Sequence, residues 1–236
     1  MKGWLKKAVI LVVMFCISVV LLNFTVTTRQ GKNYEIKVIK MPLYLKLLDF
    51  FDRHYNYGFL VKRIVGNSKN KKEAVLKIFE WTNDNLKRSP AGLPSVDDHV
   101  WHIIVRGYGE ADQFSDVFTT LCNYSGVEAF FNYIQDEART SRIVLSFVRI
   151  NGKWSVFDPY FGAYFINKSG ALADIGELQT GNWVMVSVSD TKIPERNYSN
   201  YFSNLKIVKP AGLVRPNIQS PLNRLEYEIK KWVSPG

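Results

Sequence analysis

Cysteine is scarce in this chain, and histidine is nearly as scarce. The two cysteines are Cys16, inside an apolar run, and Cys122, in a helical pattern near the middle of the chain. Neither has a partner in the same domain, so the sequence excludes a disulfide framework and does not indicate a redox compartment. The three histidines, His54, His99 and His102, all lie in the first half. Internal repeats and low-complexity tracts are also absent.

Acidic residues are fewer than basic ones, and they are unevenly placed. The net charge is +10, yet residues 96–160 hold nine acids and five bases, so this block carries −4 and the rest of the chain +14. A basic exterior around a locally acidic core suits an anionic membrane surface or an acidic polymer, although ordinary solvated lysines produce the same excess. The basic residues are scattered and no binding motif frames them, so we expect no nucleic-acid partner.

The apolar content indicates a folded body with an additional apolar segment at its start. Hydrophobic residues make up 47% of the 236 positions and aromatic residues 14%, which argues against disorder and allows one good core. Three lysines, Lys2, Lys6 and Lys7, precede 21 residues without charge, 8–28. That length is close to the ~20 residues that cross a bilayer as a helix.

This apolar segment has two interpretations, a cleaved signal peptide and an uncleaved signal anchor. No cleavage site of the A-x-A kind follows it, so we expect an anchor within residues 1–30. Basic residues on both sides nearly cancel the positive-inside bias. Because long C-terminal domains cross largely regardless of such charges, we expect a single-pass protein with its N-terminus inside and its body outside the cytoplasm.

Residues 31–70 are expected to be a linker and helical lead-in. Alternation over 33–40 predicts a short strand or an extended linker, and Pro42 then starts an amphipathic helix with Leu43, Leu47, Phe50 and Phe51. A second helix is predicted over 59–65. The turn 66–70 offers good N-cap chemistry to a helix over 71–86, whose apolar set is Val75, Ile78, Phe79 and Leu86.

The segment 107–159 organises the rest of the chain. A glycine-punctuated turn, 107–111, leads into a helical pattern over 112–121 that Gly126 ends. Strand patterns follow over 127–134 and 142–150, and a tight Asn151-Gly152 turn leads into 153–159. Further strands are predicted over 160–166 and 183–188, with a weak helix over 171–178.

Beyond residue 190 the composition shifts to Asn, Ser, Tyr and Pro, which predicts a surface excursion over 191–236 that ends in an amphipathic helix. Ser220-Pro221 provides a helix start. The apolar stripe of that helix is a candidate protein-docking or membrane-surface face: Leu222, Leu225, Ile229 and Trp232.

Three pieces in this order carry a family resemblance: a lysine-rich helix over 72–86, a helix ending in G-V-x-A at 126–129, and a hairpin ending N-G-K-W-x-x-x-D-P at 151–159. Together they resemble the transglutaminase-like superfamily, which has a papain-like core. The resemblance implies an α+β fold over 71–190, with a central helix packed on an antiparallel sheet.

The same resemblance implies where a catalytic site would lie. In that family a cysteine stands at the first turn of the central helix, a histidine begins the strand before the hairpin turn, and an aspartate follows the tryptophan. Counting from Gly126 and Trp154 places these roles at Ala111, Ile143 and Asp158. A methyl group is no nucleophile and a sec-butyl group is no base, and a shift of three residues does not restore them. The resemblance therefore implies a degenerate copy, and we lean towards a protein that is not an enzyme.

A second set of polar side chains flanks the glycine turn and is an alternative site: Asp97, Asp98, His99, His102, Asp112 and Asp158. His99 and His102 have a ligand spacing on a helix, but the apolar β-branched run after them predicts a strand, with these side chains on opposite faces. We expect no metal and no cofactor. The alternatives are carboxylates acting on a sugar and separate structural caps, with Asp112 capping the central helix.

The sequence leaves three functions open. The first is a non-catalytic, membrane-anchored domain that holds a peptide or polysaccharide in a vestigial groove. The second is an enzyme with a rebuilt acid and histidine site that acts on a glycan or peptide. The third is a structural partner in a membrane assembly.

Overall fold

An apolar helix opens the structure, a computed structural model that describes residues 2–32, 35–92, 99–188, 196–207 and 221–233. This helix, α1, is Lys2–Leu22, and from Gly3 onward it is long and apolar enough to cross a membrane. A signal sequence passes the same test, so the helix fits either role. The prediction of one uncharged helical span over 8–28 is wrong at its end, because residues from Thr25 form a strand.

A β-hairpin follows α1 and returns the chain to the point where it left that helix. Strand β1 is Thr25–Lys32, and its antiparallel partner β2 is Glu35–Pro42. Thr25 pairs with Pro42, at the open end of the hairpin. Strand β2 confirms the alternation within its described residues, whereas β1 was not predicted.

Helix α2, Leu43–Val65, is one continuous helix of 23 residues. The predicted break before residue 59 is therefore wrong. The side of α2 that faces the core carries Arg53, Tyr57 and Val61. Leu47 and Phe51 of the predicted apolar set are exposed, because α2 has apolar side chains around much of its circumference and only one side packs on the body.

Helix α3, Lys71–Asn85, confirms the prediction for this segment. Asn70 caps it by accepting a hydrogen bond from the Glu73 N–H at 2.9 Å. The predicted apolar set is buried in the core: Val75, Ile78, Phe79 and Leu86. Strand β3, Lys87–Arg88, follows directly and pairs with strand β4, Tyr108–Gly109, in a short parallel ladder.

Between β3 and β4 lies helix α4, Val100–Arg106. The sequence predicts a strand here, and that prediction is wrong. Val100 and Ile103 are the buried residues of α4, and their spacing of three is helical rather than alternating. Gly107 ends α4 in the left-handed region, with φ 75°.

The central helix α5 is Ala111–Tyr124, and a five-stranded antiparallel sheet follows it. The strands stand in sequence order: β5 Ala129–Gln135, β6 Arg142–Ile150, β7 Lys153–Asp158, β8 Ala163–Ile166 and β9 Val184–Ser187. The bounds of β6 are those predicted. Asn151 and Gly152 both adopt positive φ in the hairpin turn, 52° and 83°, which such a two-residue loop requires.

The sheet separates two apolar clusters. Helices α2 to α5 pack on one of its faces. On the other face lie helix α6, Ile175–Gln179, helix α7, Ser199–Phe202, and a 3₁₀ turn, Ser203–Ile207. This arrangement confirms the α+β fold with a central helix on an antiparallel sheet.

The described part of the predicted surface excursion, 196–207, is packed rather than extended over the surface. Tyr198, Phe202 and Leu205 are buried in the second cluster, because aromatic residues within this polar composition fill the open face of the sheet. Helix α8, Pro221–Val233, confirms the predicted C-terminal helix. Three residues of its stripe, Leu222, Leu225 and Ile229, are exposed, and the side chain of Trp232 lies outside the described residues.

Candidate functional site

Asp158 and the residue before it point to opposite faces of the sheet. The ring of Phe157 packs against Phe79 of α3 and Phe118 of α5, with centroids 5.3 and 5.2 Å apart. Because side chains alternate along a strand, Asp158 points to the face that α6 and α7 cover. Tyr198 belongs to the apolar cluster on that face, and its hydroxyl contacts the Asp158 carboxyl.

The Asp158 carboxyl is buried, with 1% of its surface exposed. It accepts hydrogen bonds from the Tyr198 hydroxyl at 2.9 Å, the Phe161 N–H at 3.2 Å and the Arg196 guanidinium at 3.5 Å. Burial raises the pKa of Asp158 above its usual range, although the Tyr198 hydrogen bond and the Arg196 charge act in the opposite direction.

Ile143 faces the same side of the sheet as Asp158. Ser146 pairs with Phe157, so extending the register by one residue places Leu145 beside Asp158, and Ile143 lies two residues further along β6 on the same face. The side chain of Ile143 is buried in the second apolar cluster. This position is therefore packed core.

Ala111 is the first residue of α5, in a turn that hydrogen bonds of the neighbouring residues stabilise. The Gln113 side chain turns back and accepts a hydrogen bond from the Glu110 N–H at 3.0 Å, so Glu110 is the N-cap residue. The expectation that Asp112 caps this helix is wrong. Asp112 instead accepts hydrogen bonds from the Gln113 N–H at 2.9 Å and from the Tyr133 hydroxyl of β5 at 3.3 Å.

Gly109 is required by the close approach of Gln113. A Cβ at position 109 would lie 2.8 Å from Gln113 Oε1 and 3.0 Å from its Cβ. Arg106 donates to the same Oε1 at 3.3 Å and to the Tyr108 carbonyl at 3.1 Å. The glycine turn thus holds the start of α5 against the end of α4.

Four side chains form an arginine–aromatic cluster between the start of α5 and Asp158: Arg88, Tyr160, Phe161 and Arg196. The Arg88 guanidinium lies over the Tyr160 ring at 4.8 Å and over the Phe161 ring at 4.6 Å. Arg196 lies over Phe161 at 4.1 Å. Phe114, in the first turns of α5, packs edge-on against Tyr160 at 5.3 Å. A chain of contacts therefore leads from α5 to Asp158.

Sequence reasoning missed this cluster. Arg88 ends β3, Arg196 lies beyond β9, and the two aromatic residues form the turn after β7. Residues so far apart in the chain leave no local pattern. The tyrosine and phenylalanine after Asp158-Pro159 were visible in the sequence, but which faces of their rings stay open depends on tertiary packing.

All three histidines lie in helices or at a helix start. His99 precedes α4 and His102 occupies its first turn, with ring centroids 5.7 Å apart, so the expectation that they face opposite ways on a strand is wrong. His54 Nδ1 and the Tyr124 hydroxyl share a hydrogen bond of 2.8 Å. Within the described ranges, no group of three or more His, Cys, Asp or Glu residues is arranged to hold a metal ion.

The alternative polar set occupies several environments. Asp97 and Asp98 lie outside the described residues. Asp112 contacts Tyr133 of β5, whereas Asp158 contacts Tyr198 and Arg196 on the other face of the sheet. The contacts of the two carboxylates thus involve different partners.

Residues 59–159 match the model of the Transglutaminase-like superfamily. This segment is a transglutaminase-like domain. The matched segment begins within α2 and ends just after Asp158, so it contains the glycine turn, the central helix and the hairpin that carry the resemblance in sequence. No curated protein sequence matches the chain.

Several solved structures are similar to the transglutaminase-like domain at low sequence identity. A candidate cysteine protease from Cytophaga hutchinsonii has 14% identity and a TM-score of 0.41, with 62% of this chain and 56% of that chain covered. A candidate protease from Parabacteroides distasonis has 12% identity and a TM-score of 0.38, with 72% and 40% covered. A protein described as a TGase has 10% identity and a TM-score of 0.37, with 56% and 43% covered.

Proposed function

We propose that this chain is a membrane-tethered transglutaminase-like domain that binds a ligand without cysteine-based acyl transfer. Its ligand is a peptide or polysaccharide that bears carboxylates, held at the arginine–aromatic cluster. The observation that carries the proposal is the Arg88 guanidinium, which is exposed and lies over two aromatic rings beside the start of α5.

The residues at two of the three family positions, Ala111 and Ile143, support a non-catalytic role. Ala111 has no nucleophilic atom, and Ile143 is an apolar core residue without a base. Cys122 does not replace the missing thiol, because it is fully buried and burial raises the pKa of its thiol well above the usual range. Acyl transfer by a thiolate requires an accessible sulfur beside a base.

The geometry of Arg88 supports an anionic ligand. A guanidinium presents its N–H groups as a planar fork that matches a carboxylate, and stacking on aromatic rings orders the fork before a ligand arrives. The hydrogen bond that Arg88 donates to the Tyr160 carbonyl is long, at 3.4 Å. Arg196 adds a second positive charge, part of which the buried Asp158 carboxylate offsets.

The membrane tether rests on α1, which is long and apolar enough to span a bilayer. In this proposal the N-terminus is inside and the domain is outside the cytoplasm. The net charge of +10 favours a position close to anionic lipid headgroups.

Binding of defined polymers to the full chain in lipid nanodiscs tests the ligand class. Isothermal titration with polyglutamate, polygalacturonate and neutral dextran should show binding of one or both acidic polymers and none of dextran. Arg88→Ala should weaken binding about tenfold through loss of a charge-assisted fork. Lys87→Ala, which removes the same charge from the adjacent exposed residue, should weaken it less than about twofold. Equal loss in both variants, or equal binding of dextran, contradicts the proposal.

A further inference from the structure

Helix α2 has an apolar stripe on the side that faces away from the body. The stripe consists of Tyr44, Leu48, Phe51, Tyr55 and Phe59. Their spacing of i, i+4, i+7, i+11 and i+15 places them on one side of the helix, opposite Arg53, Tyr57 and Val61, which are buried. Their exposed fractions are 38%, 60%, 47%, 73% and 63%. Helix α8 contacts α2, yet the stripe has these exposures with α8 in place.

A contiguous apolar face of this length is uncommon on the surface of a protein body surrounded by water. From Tyr44 to Phe59 the stripe runs for ~22 Å at the rise of an α-helix. Apolar surface of this extent indicates a contact with another apolar phase or molecule, and the position of α2 in the chain indicates what that contact is.

The stripe begins where the apolar helix α1 ends. The β1–β2 hairpin closes so that the Leu43 N–H, at the start of α2, donates to the Phe24 carbonyl at 2.9 Å. Lys46 donates from its ammonium to the Thr27 carbonyl at 3.0 Å, which ties the first turn of α2 to β1. Helices α1 and α2 are also in contact. A bilayer crossed by α1 therefore has its surface at the first turn of α2.

The composition of the stripe fits the headgroup region of a bilayer. Four of its five side chains are aromatic, and tyrosine at such a surface places its ring among the acyl chains with its hydroxyl in the wet layer. Lys62 and Arg63 lie at the C-terminal end of α2, and the Arg63 guanidinium lies over the Phe59 ring at 5.8 Å. Long cationic side chains at this depth extend to lipid phosphates while their stems cover apolar surface.

We propose that the stripe of α2 lies on the lipid bilayer, as a second membrane contact next to α1. This inference rests on the membrane tether in the proposed function. This contact determines the orientation of the domain on the membrane. Helix α2 packs on α3 and α5, and these helices pack on one face of the sheet, whereas α6 and α7 cover the other face. The face of the sheet that carries Asp158 is therefore turned away from the bilayer.

Fluorescence of a label on the stripe tests this contact in the full chain. A Cys16→Ser background leaves Cys122, which is fully buried and reacts slowly. Tyr55→Cys is labelled with an NBD fluorophore, and the protein is reconstituted at one copy per nanodisc of phosphatidylcholine and phosphatidylglycerol, 3:1. Asp84→Cys, at an exposed position of α3, is the matched control.

The Tyr55 label should have blue-shifted emission and should be quenched at least about threefold more than the Asp84 label by lipids that carry a doxyl group near the headgroup. Equal quenching at the two positions overturns the inference. So does a blue shift at Tyr55 that occurs only when several copies share one disc, because the stripe then packs on a second copy. Leu48→Cys repeats the measurement on the stripe if the Tyr55 variant does not fold.

Failure of this inference is distinguishable from failure of the proposed function. If alkaline carbonate extracts the chain from vesicles, α1 is not an anchor and the proposed tether fails. If the chain resists extraction while the Tyr55 label behaves like the Asp84 label, only the contact made by α2 fails. Ligand binding through Arg88 is measured separately and depends on neither result.

Discussion

The hydroxyl of Tyr198 donates a hydrogen bond of 2.9 Å to the carboxylate of Asp158, forty residues earlier in the chain. Both side chains are buried. The contact joins the last residue of β7 to the segment that covers the outer face of the sheet. In this structure Asp158 is a buried link between two parts of the fold.

Loss of the Tyr198 hydroxyl should destabilise the domain. Tyr198→Phe keeps the ring packed but leaves a buried carboxylate without its shortest hydrogen bond, at a cost of about 1.5–3 kcal/mol. The measurement is the urea unfolding midpoint of the full chain in detergent micelles.

Tyr201→Phe is the matched control, because the Tyr201 hydroxyl bonds Ser141 at the surface. Its loss should cost less than about 1 kcal/mol. Equal losses of unfolding free energy in the two variants would show that the hydrogen bond to Asp158 stabilises the domain no more than the surface hydrogen bond to Ser141 does.

The buried carboxyl of Asp158 should make stability depend on pH. Its pKa is raised in the folded state, above an unfolded value of about 3.9. Its contribution is therefore fully present below the unfolded pKa and is lost as pH rises through the folded pKa. Unfolding midpoints at several pH values should show wild type losing stability relative to Asp158→Asn across that window. A difference between the two proteins that does not vary with pH contradicts the prediction.

Histidine at the second family position should not be tolerated. Ile143 is buried in an apolar cluster and pairs with Ile134 of β5, so Ile143→His places a polar ring where apolar packing is needed, at a cost of about 2–4 kcal/mol. Burial lowers the pKa of such a histidine, so the loss should deepen as pH falls through ~6.5. Ile143→Val should cost about 0.5–1.5 kcal/mol at every pH. A histidine variant as stable as the valine variant would indicate an open groove at this position.

Replacing each of two glycines by alanine should change the stability of the domain in opposite directions. Gly109→Ala puts a Cβ 2.8 Å from Gln113 Oε1, so the turn at the start of α5 must shift, at a cost of about 1–3 kcal/mol. Gly58 lies inside α2 with nothing within 4 Å of the added Cβ, so Gly58→Ala should stabilise by about 0.4–1 kcal/mol. Thermal unfolding of the two variants checks the sign of each effect. A stabilised Gly109→Ala would mean that Gln113 does not hold this turn.

Much of the domain could be predicted from the sequence because its signals are local. The Asn151-Gly152 turn sets the β6–β7 hairpin, and the register follows from that turn. Asn70 as a cap and the helical spacing of the apolar residues after it predicted α3.

The errors have an equally local origin. Helix α4 was predicted as a strand because β-branched residues follow Val100, and a seven-residue helix is too short to establish a period. Helix α2 continues through Gly58, because tertiary packing outweighs the weak helix propensity of one glycine. The polar composition after residue 190 did not indicate that Tyr198 and Phe202 are buried.

Helix α3, the central helix α5, the β6–β7 hairpin and the side chains at the three family positions follow from the sequence alone, since periodicity, capping and turn chemistry act over a few residues. The sheet face that Asp158 occupies, the contact of Arg88 and Arg196 with the same aromatic ring, and the uncovered side of α2 follow from tertiary packing. Those outcomes depend on contacts between segments far apart in the chain, and no local pattern indicates them.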